Sequence, residues 1–203
     1  MYQWFRLTFT EPYPATDVWK YRRMSEMLVP WKNDTNRFRM VCTRQMTDFY
    51  IGSNGPESMA LMKSFFKRLY SVKLDEVMDQ NETENFFLYA LSARGEKEPH
   101  YAMSLIQNLS KINMISEKSM IIDLAIYNSG IQKAKVSMKV GTMDRNADLR
   151  PEMEYVRRIM KKFRVQTRVR SRRARKNAFY FSRPFFHTFL LNLIRIPEDE
   201  DPF

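Results

Sequence analysis

The chain opens on an alternation. In "YQWFRLTF", Phe5, Leu7 and Phe9 share one side, with Gln3, Arg6 and Thr8 among the other positions. That period of two predicts a half-buried strand. Val18, Tyr21, Met24 and Leu28 then recur at helical spacing, entered through Pro14 and Thr16 or Asp17 and stopped by Pro30. "RFRMVCT" alternates again with Phe38, Met40 and Cys42 on one side, and a short turn leads to the strand "DFYIG". "SNGPESMALMKSFFKRLY" predicts a helix, with Pro56 near its first turn and Met59, Met62, Phe66 and Leu69 as its apolar stripe. "VKLDEV" closes the set as a strand.

The polar, acidic "MDQNETEN" predicts a linker, after which the same order returns. "FFLYALSA" is apolar enough to predict a strand buried on both faces. "EPHYAMSLIQNLSKI" predicts a helix with Pro99 at its start and Ala102, Leu105, Leu109 and Ile112 in line. "SMIIDLAIY" puts Met120, Ile122, Leu124 and Ile126 on one face. "KAKVSMKV" puts Ala134, Val136, Met138 and Val140 inward and Lys133, Lys135 and Lys139 outward. "PEMEYVRRIMKKF" predicts a helix with Pro151, Glu152 and Glu154 at its favourable end and a stripe of Met153, Val156, Met160 and Phe163. "RVQTRV" ends the cycle as a strand.

Each half therefore reads β-α-β-β-α-β, the split-βαβ order. The fold expected is α+β, built from two tandem ferredoxin-like units with antiparallel sheets. The first unit spans 1–78, a linker 79–83, the second unit 84–170, and 171–203 carries a basic turn, an aromatic amphipathic segment and an acidic tail. The rival arrangement is one continuous α+β sheet shared by both halves.

Charge adds a partner. Among 203 residues, 34 Lys and Arg stand against 23 Asp and Glu, a formal charge of +11. Such a surplus points to nucleic acid, an anionic membrane face or an acidic protein. Cys42 is the sole cysteine, which precludes an internal disulfide and fits a reducing compartment. The N-terminus has no basic-then-apolar signal organisation, and "PFFHTFLLNLI" falls far short of the ~20 residues that span a bilayer. A cytoplasmic location is expected, with the inner face of the membrane as a further option.

Motifs for catalysis are missing. None of the five glycines sits in a phosphate-loop context. Neither His100 nor His187 has a cysteine or histidine at metal-ligand spacing. "DRNADLRPE" starts like a calcium loop, but Leu149 stands where glycine is required and Tyr155 where glutamate is, so a polar turn before a helix is expected. Asp75 and Glu76 are strand neighbours and point to opposite faces, which is no acid/base pair. No catalytic residue, cofactor or metal is expected.

The strongest signal is "KKFRVQTRVRSRRARKN", residues 161–177, with nine cations and no carboxylate. Arg157 and Arg158 extend it. Clustered cations suit phosphate contacts because each neutralised phosphate releases counterions, but they read no sequence. Val165, Thr167 and Val169 alternate with Arg164, Gln166, Arg168 and Arg170, so its front is a strand with a basic face. Arg164, Arg168, Arg170, Arg172, Arg173, Arg175 and Lys176 are the candidate binding residues. Protein docking and a plain charged face are the competing readings. Aromatics for stacking follow in "NAFYFSRPFF", and the first strand offers Tyr2 and Trp4 on its non-core side. "FYFSRPFFHTFLLNLIRIP" is amphipathic and suits either peripheral membrane contact or packing on a further domain.

Three stretches carry a family resemblance: "MVCTRQMTDFYIGSNGPESMALMKSFFKRLYSVKLDEV", the repeat with "ENFFLYALSARG" and "PHYAMSLIQNLSKI", and the closing "RPFFHTFLLNLIRIPEDED". The chain resembles the N-terminal, non-motor region of conjugative-transfer, type IV secretion coupling ATPases of the HerA/FtsK superfamily. The resemblance is diffuse and includes no invariant motif. The motor domain with its phosphate loop is absent from this sequence. The resemblance therefore implies a non-enzymatic module that assembles the pump, recruits cargo or guides DNA, with a motor ATPase domain or another secretion component as partner. The alternative is a free-standing, sequence-independent RNA- or DNA-binding protein.

Overall fold

A computed structural model describes residues 1–10, 25–78, 83–93, 105–128, 133–163, 165–169 and 181–182. Its strands are β1 (Gln3–Phe9), β2 (Thr35–Cys42), β3 (Thr47–Ser53), β4 (Val72–Val77), β5 (Asn85–Ala93), β6 (Met120–Asn128), β7 (Lys133–Thr142), β8 (Val165–Val169) and the two-residue β9 (Phe181–Ser182). Its α-helices are α1 (Pro56–Leu69), α2 (Leu105–Ser110) and α3 (Arg150–Lys162), with 3-10 turns at Ser25–Leu28 and Lys111–Met114.

All strands belong to one sheet in the order β4-β1-β3-β2-β6-β7-β5-β8, with β9 against β7. Every pairing is antiparallel. Read outward from the middle, β2-β3-β1-β4 on one side matches β6-β7-β5-β8 on the other. The halves thus face each other across a pseudo-two-fold axis between β2 and β6. That seam runs from Thr35 opposite Tyr127 to Cys42 opposite Met120.

The element order predicts separate sheets, and a single one is observed. The reason lies in the seam strands. Phe38, Met40 and Cys42 of β2, and Met120, Ile122, Leu124 and Ile126 of β6, are all buried. An unjoined edge would leave backbone N–H and C=O groups unpaired beside those apolar side chains. Pairing the two edges removes both penalties.

One core lies between the sheet and the described helices. Phe5, Leu7, Phe38, Met40 and Ile51 meet Met59, Met62, Phe65 and Phe66 of α1. The rings of Phe38 and Phe66 stack at 6.1 Å and 12°. Ala134, Val136, Met138 and Val140 are buried as their alternation requires, in the same cluster as Val156, Ile159, Met160 and Phe163 of the α3 region. Each such large apolar side chain contributes about 1.5–3 kcal/mol by leaving water. Tyr155 Oη donates to the Asn108 carbonyl at 2.6 Å and ties α3 to α2.

Pro56 opens α1, where its missing N–H is no loss. Gly55 precedes it because the Asp34 carboxylate fills the space a Cβ would take. Asp34 in turn accepts from Ser58 Oγ at 2.7 Å.

Three expectations change locally. Of the helix expected through Val18, Tyr21, Met24 and Leu28, only the end is described, and Ser25–Leu28 is a 3-10 turn; 11–24 lie outside the described residues. The helix expected after Pro99 is α-helical over Leu105–Ser110 and tightens to a 3-10 turn at Lys111–Met114. β5 is not buried on both faces: Phe86 is 41% exposed, Phe87 and Leu88 are half-buried, and Tyr89 is fully buried. The described helices cover one side of the sheet, and Phe86 lies on the other. Of the expected linker 79–83 only Thr83 is among the described residues; it is buried, and the next residue's N–H, that of Glu84, donates to the Thr142 carbonyl.

Candidate nucleic-acid interface

Of the candidates read from the sequence, Arg164, Arg170, Arg172, Arg173, Arg175 and Lys176 lie outside the described residues. The aromatic segment around Phe179, Tyr180, Phe185 and Phe186 lies outside them too. Arg168 belongs to β8, an end strand of the sheet, in register with Ala90 of β5. The front of the basic run is thus a strand, as its alternation predicts.

The described cations that most closely precede it in the chain are on α3. Arg157, Arg158, Lys161 and Lys162 are all exposed on its last two turns. Among the described ion pairs here, Arg157 lies 3.6 Å from Glu154. Lys161 and Lys162 face the negative end of the helix dipole, which favours them. The pairs 157/161 and 158/162 nevertheless put like charges one turn apart, each opposing the helix by about 0.2–0.5 kcal/mol. Helix α1 ends likewise with exposed Lys67 and Arg68. The turn before α3 is polar, as expected: Asp144 Oδ1 accepts the Asn146 N–H and Asp148 Oδ1 the Arg150 N–H. Hydrogen bonds from Arg150 pull the Asp148 carboxyl down to about 2.

The side of the sheet away from the described helices holds a second set of cations, interleaved with rings. The alternation in β1 predicts Trp4 there as an outward ring, and the structure corrects this: it is 2% exposed. The Arg39 guanidinium lies 4.1 Å from its ring centroid. Gly52 sits directly across, where a Cβ would come within 2.6 Å of the ring. Arg37 covers Tyr2 at 4.5 Å. Both arginines converge on Asp123 Oδ2, Arg37 Nη1 at 3.1 Å and Arg39 Nη2 at 3.0 Å. Asp123 is only 4% exposed, and it pairs directly across the seam with Arg39. Periodicity could not reveal that ion pair, because it depends on how β2 and β6 register. The available signal was opposite charges amid "RFRM" and "IIDLA".

The second half repeats one of these devices. Phe86 stands across from Gly141 as Trp4 stands across from Gly52. A Cβ at Gly141 would strike Phe86 and the Asn85 backbone. In both places a ring covers strand backbone that glycine leaves bare, and a strand glycine marks such close approach. Lys139 Nζ lies 4.3 Å from the Phe86 centroid, and Lys135 Nζ lies 5.4 Å from that of Tyr127.

Among the described residues no group of three or more His, Cys, Asp or Glu is placed to hold a metal. The Cys42 thiol is buried, and burial pushes it up to about 11. No described helix is long and apolar enough to cross a membrane.

No protein-family model matches the chain, and no curated protein matches it. Among solved structures, the chain aligns with one described as a putative glycine cleavage system transcriptional repressor. That alignment has 8% identity and a TM-score of 0.24, and covers 84% of this chain and 97% of the other. A likeness at that level bears on neither fold nor function.

Proposed function

We propose that this chain is a non-catalytic module that binds nucleic acid through electrostatic, sequence-independent contacts. One observation carries the reading: Arg157, Arg158, Lys161 and Lys162 are displayed together on α3, despite like-charge spacing, immediately before the cation-rich residues 164–176. The helix dipole favours Lys161 and Lys162, whereas the like-charge spacing of 157/161 and 158/162 opposes the helix. Phosphates would relieve the repulsion and release counterions on binding.

The same reading takes the halves as two tandem ferredoxin-like units fused edge to edge. The mirrored strand orders, antiparallel throughout, support it. Service to a DNA-translocating or secretion ATPase is supported by the sequence resemblance. A free-standing RNA- or DNA-binding protein would use the same surface.

The test is the salt dependence of binding to a fluorescent 20-base-pair duplex. The R157A/R158A/K161A/K162A variant is expected to bind more weakly, with a log–log salt slope shallower by about 0.9 for each phosphate no longer neutralised. An unchanged affinity and slope would remove α3 from the interface and the proposal with it.

A further inference from the structure

We propose that the last turns of α1 and α3 grip a double-stranded nucleic acid at two points, with Lys67 and Arg68 of α1 as the second point. This rests on the nucleic-acid reading above and adds to it a contact in the first half of the chain.

The two helices hold equivalent places. α1 follows β3 and leads to β4, as α3 follows β7 and leads to β8, and those strands match in the mirrored sheet order. Laying Met62 on Val156 puts Phe65 on Ile159 and Phe66 on Met160, and all of these side chains are buried. The same superposition lays Lys63 on Arg157, Lys67 on Lys161 and Arg68 on Lys162. "KSFFKR" and "RRIMKK" thus share a pattern of cation and core positions, although only Lys67 and Lys161 are identical. Lys67, Arg68, Lys161 and Lys162 are exposed. Lys63 is half-buried, with its Nζ 3.4 Å from the Phe5 ring centroid, so it is not assigned to the grip. The described carboxylates of these helices stand elsewhere: Glu57 is in the first turn of α1, Glu152 is buried, and Glu154 faces Arg157.

The helix dipole accounts for a cation at the end of one helix, but not for where the two ends lie. The sheet sets that. The antiparallel pairings β3–β2, β2–β6 and β6–β7 make β3 and β7 run in opposite directions. The helices that follow them pack into one core on the same side of the sheet. Their basic ends therefore stand at opposite ends of the strands, related by the pseudo-two-fold axis at the seam. With strands ~4.8 Å apart and a helical rise of ~1.5 Å per residue, the two ends are separated by roughly 30 Å. One turn of B-form duplex is about 34 Å. A duplex also has two-fold axes across its length, so its backbone offers equivalent phosphates at two points about a turn apart. An unpaired strand has neither that symmetry nor that fixed spacing. A two-fold pair of cation clusters therefore matches the duplex.

The experiment measures binding of the full chain to three fluorescein-labelled ligands: the 20-base-pair duplex, a hairpin of six G·C pairs closed by an uncharged linker, and dT20. At ~3.4 Å per pair the duplex is about 68 Å long and the hairpin stem about 20 Å, so the duplex alone of these two can reach both helix ends. K67A/R68A is expected to weaken duplex binding about ten-fold and to flatten its salt slope by about 1.8, while hairpin binding falls by no more than about two-fold. K67R/R68K keeps both charges and is expected to match the parent. Thermal melts establish that each variant is folded. If K67A/R68A binds the duplex like the parent while R157A/R158A/K161A/K162A loses it, the two-point grip is refuted and the broader function stands. An equal loss on duplex and hairpin, or tighter binding of dT20 than of the duplex by the parent, would also refute the grip. If the parent chain binds none of the three, both proposals fall.

Discussion

Asp123 is a buried charge at the seam between the halves. It is 4% exposed and accepts from Arg37 at 3.1 Å and Arg39 at 3.0 Å, while Arg39 is itself 5% exposed at its side chain. At a charge separation of ~4 Å and an effective dielectric of about 20, one such pair interacts by about 4 kcal/mol. Desolvation offsets most of that in the intact pair. Asp123→Ala leaves Arg39 buried with its carboxylate gone, a change that typically destabilises by about 3–5 kcal/mol. With a urea m-value of roughly 2 kcal/mol/M, the unfolding midpoint is expected to fall by ~1.5–2.5 M. Two controls separate burial from mere charge. Glu117→Ala breaks the exposed Arg44–Glu117 pair, whose side chains are 64% and 88% exposed, and is expected to change stability by less than ~1 kcal/mol. The double variant Arg39→Met/Asp123→Leu replaces the buried pair with apolar volume and is expected to recover most of the loss. A midpoint shift below about 0.5 M for Asp123→Ala would refute the reasoning, because the carboxylate would then behave as a surface charge.

Two further perturbations test the packing. Gly52→Ala places a methyl within 2.6–2.8 Å of a Trp4 ring that Arg39 holds from the other side. It is expected to destabilise by about 1–3 kcal/mol in urea titration and to alter the near-ultraviolet Trp signal; an unchanged melt would mean the ring is free to move. In alkali, burial holds the folded-state Cys42 thiol up at about 11, against an ordinary value of 9.0. Its neutral form is favoured by folding, so its contribution is complete below pH 9.0 and is lost as pH rises to about 11. Cys42→Ser is expected to flatten that part of the pH–stability curve, and an identical slope in parent and variant would exclude the thiol as its cause.

The elements themselves were legible because they obey local periods. The alternation in "KAKVSMKV" and the helical stripe through Val156 and Met160 need nothing beyond neighbouring residues, and both are buried as expected. What alternation leaves open is the identity of the strand alongside. The sequence allowed both separate sheets and a shared one, and the choice rests on apolar edges in β2 and β6 that lie far apart along the chain. The same limit explains Trp4. Its parity places it off the core side, which is correct, but its burial comes from Arg39 two strands away. The α3 cations were readable because helix position alone exposes them. Asp123 carries no such local signal, since its partners are set by register.

The Arg39–Asp123 pair also bears on how the chain chooses between itself and its copies. When Trp4 and Gly52 are laid on Phe86 and Gly141, the strand registers carry Arg39 onto Asp123. These two equivalent positions meet face to face at the pseudo-two-fold axis. Were a first half to emerge and join its like through β2 in the same register, arginine would oppose arginine; two second halves would set aspartate against aspartate. Like charges directly opposite are destabilising in a sheet, and a desolvated seam sharpens the penalty. Opposite charges at one equivalent position therefore make the mixed union the favoured one. A sheet whose halves mirror each other in strand order is thereby favoured to close within its own chain.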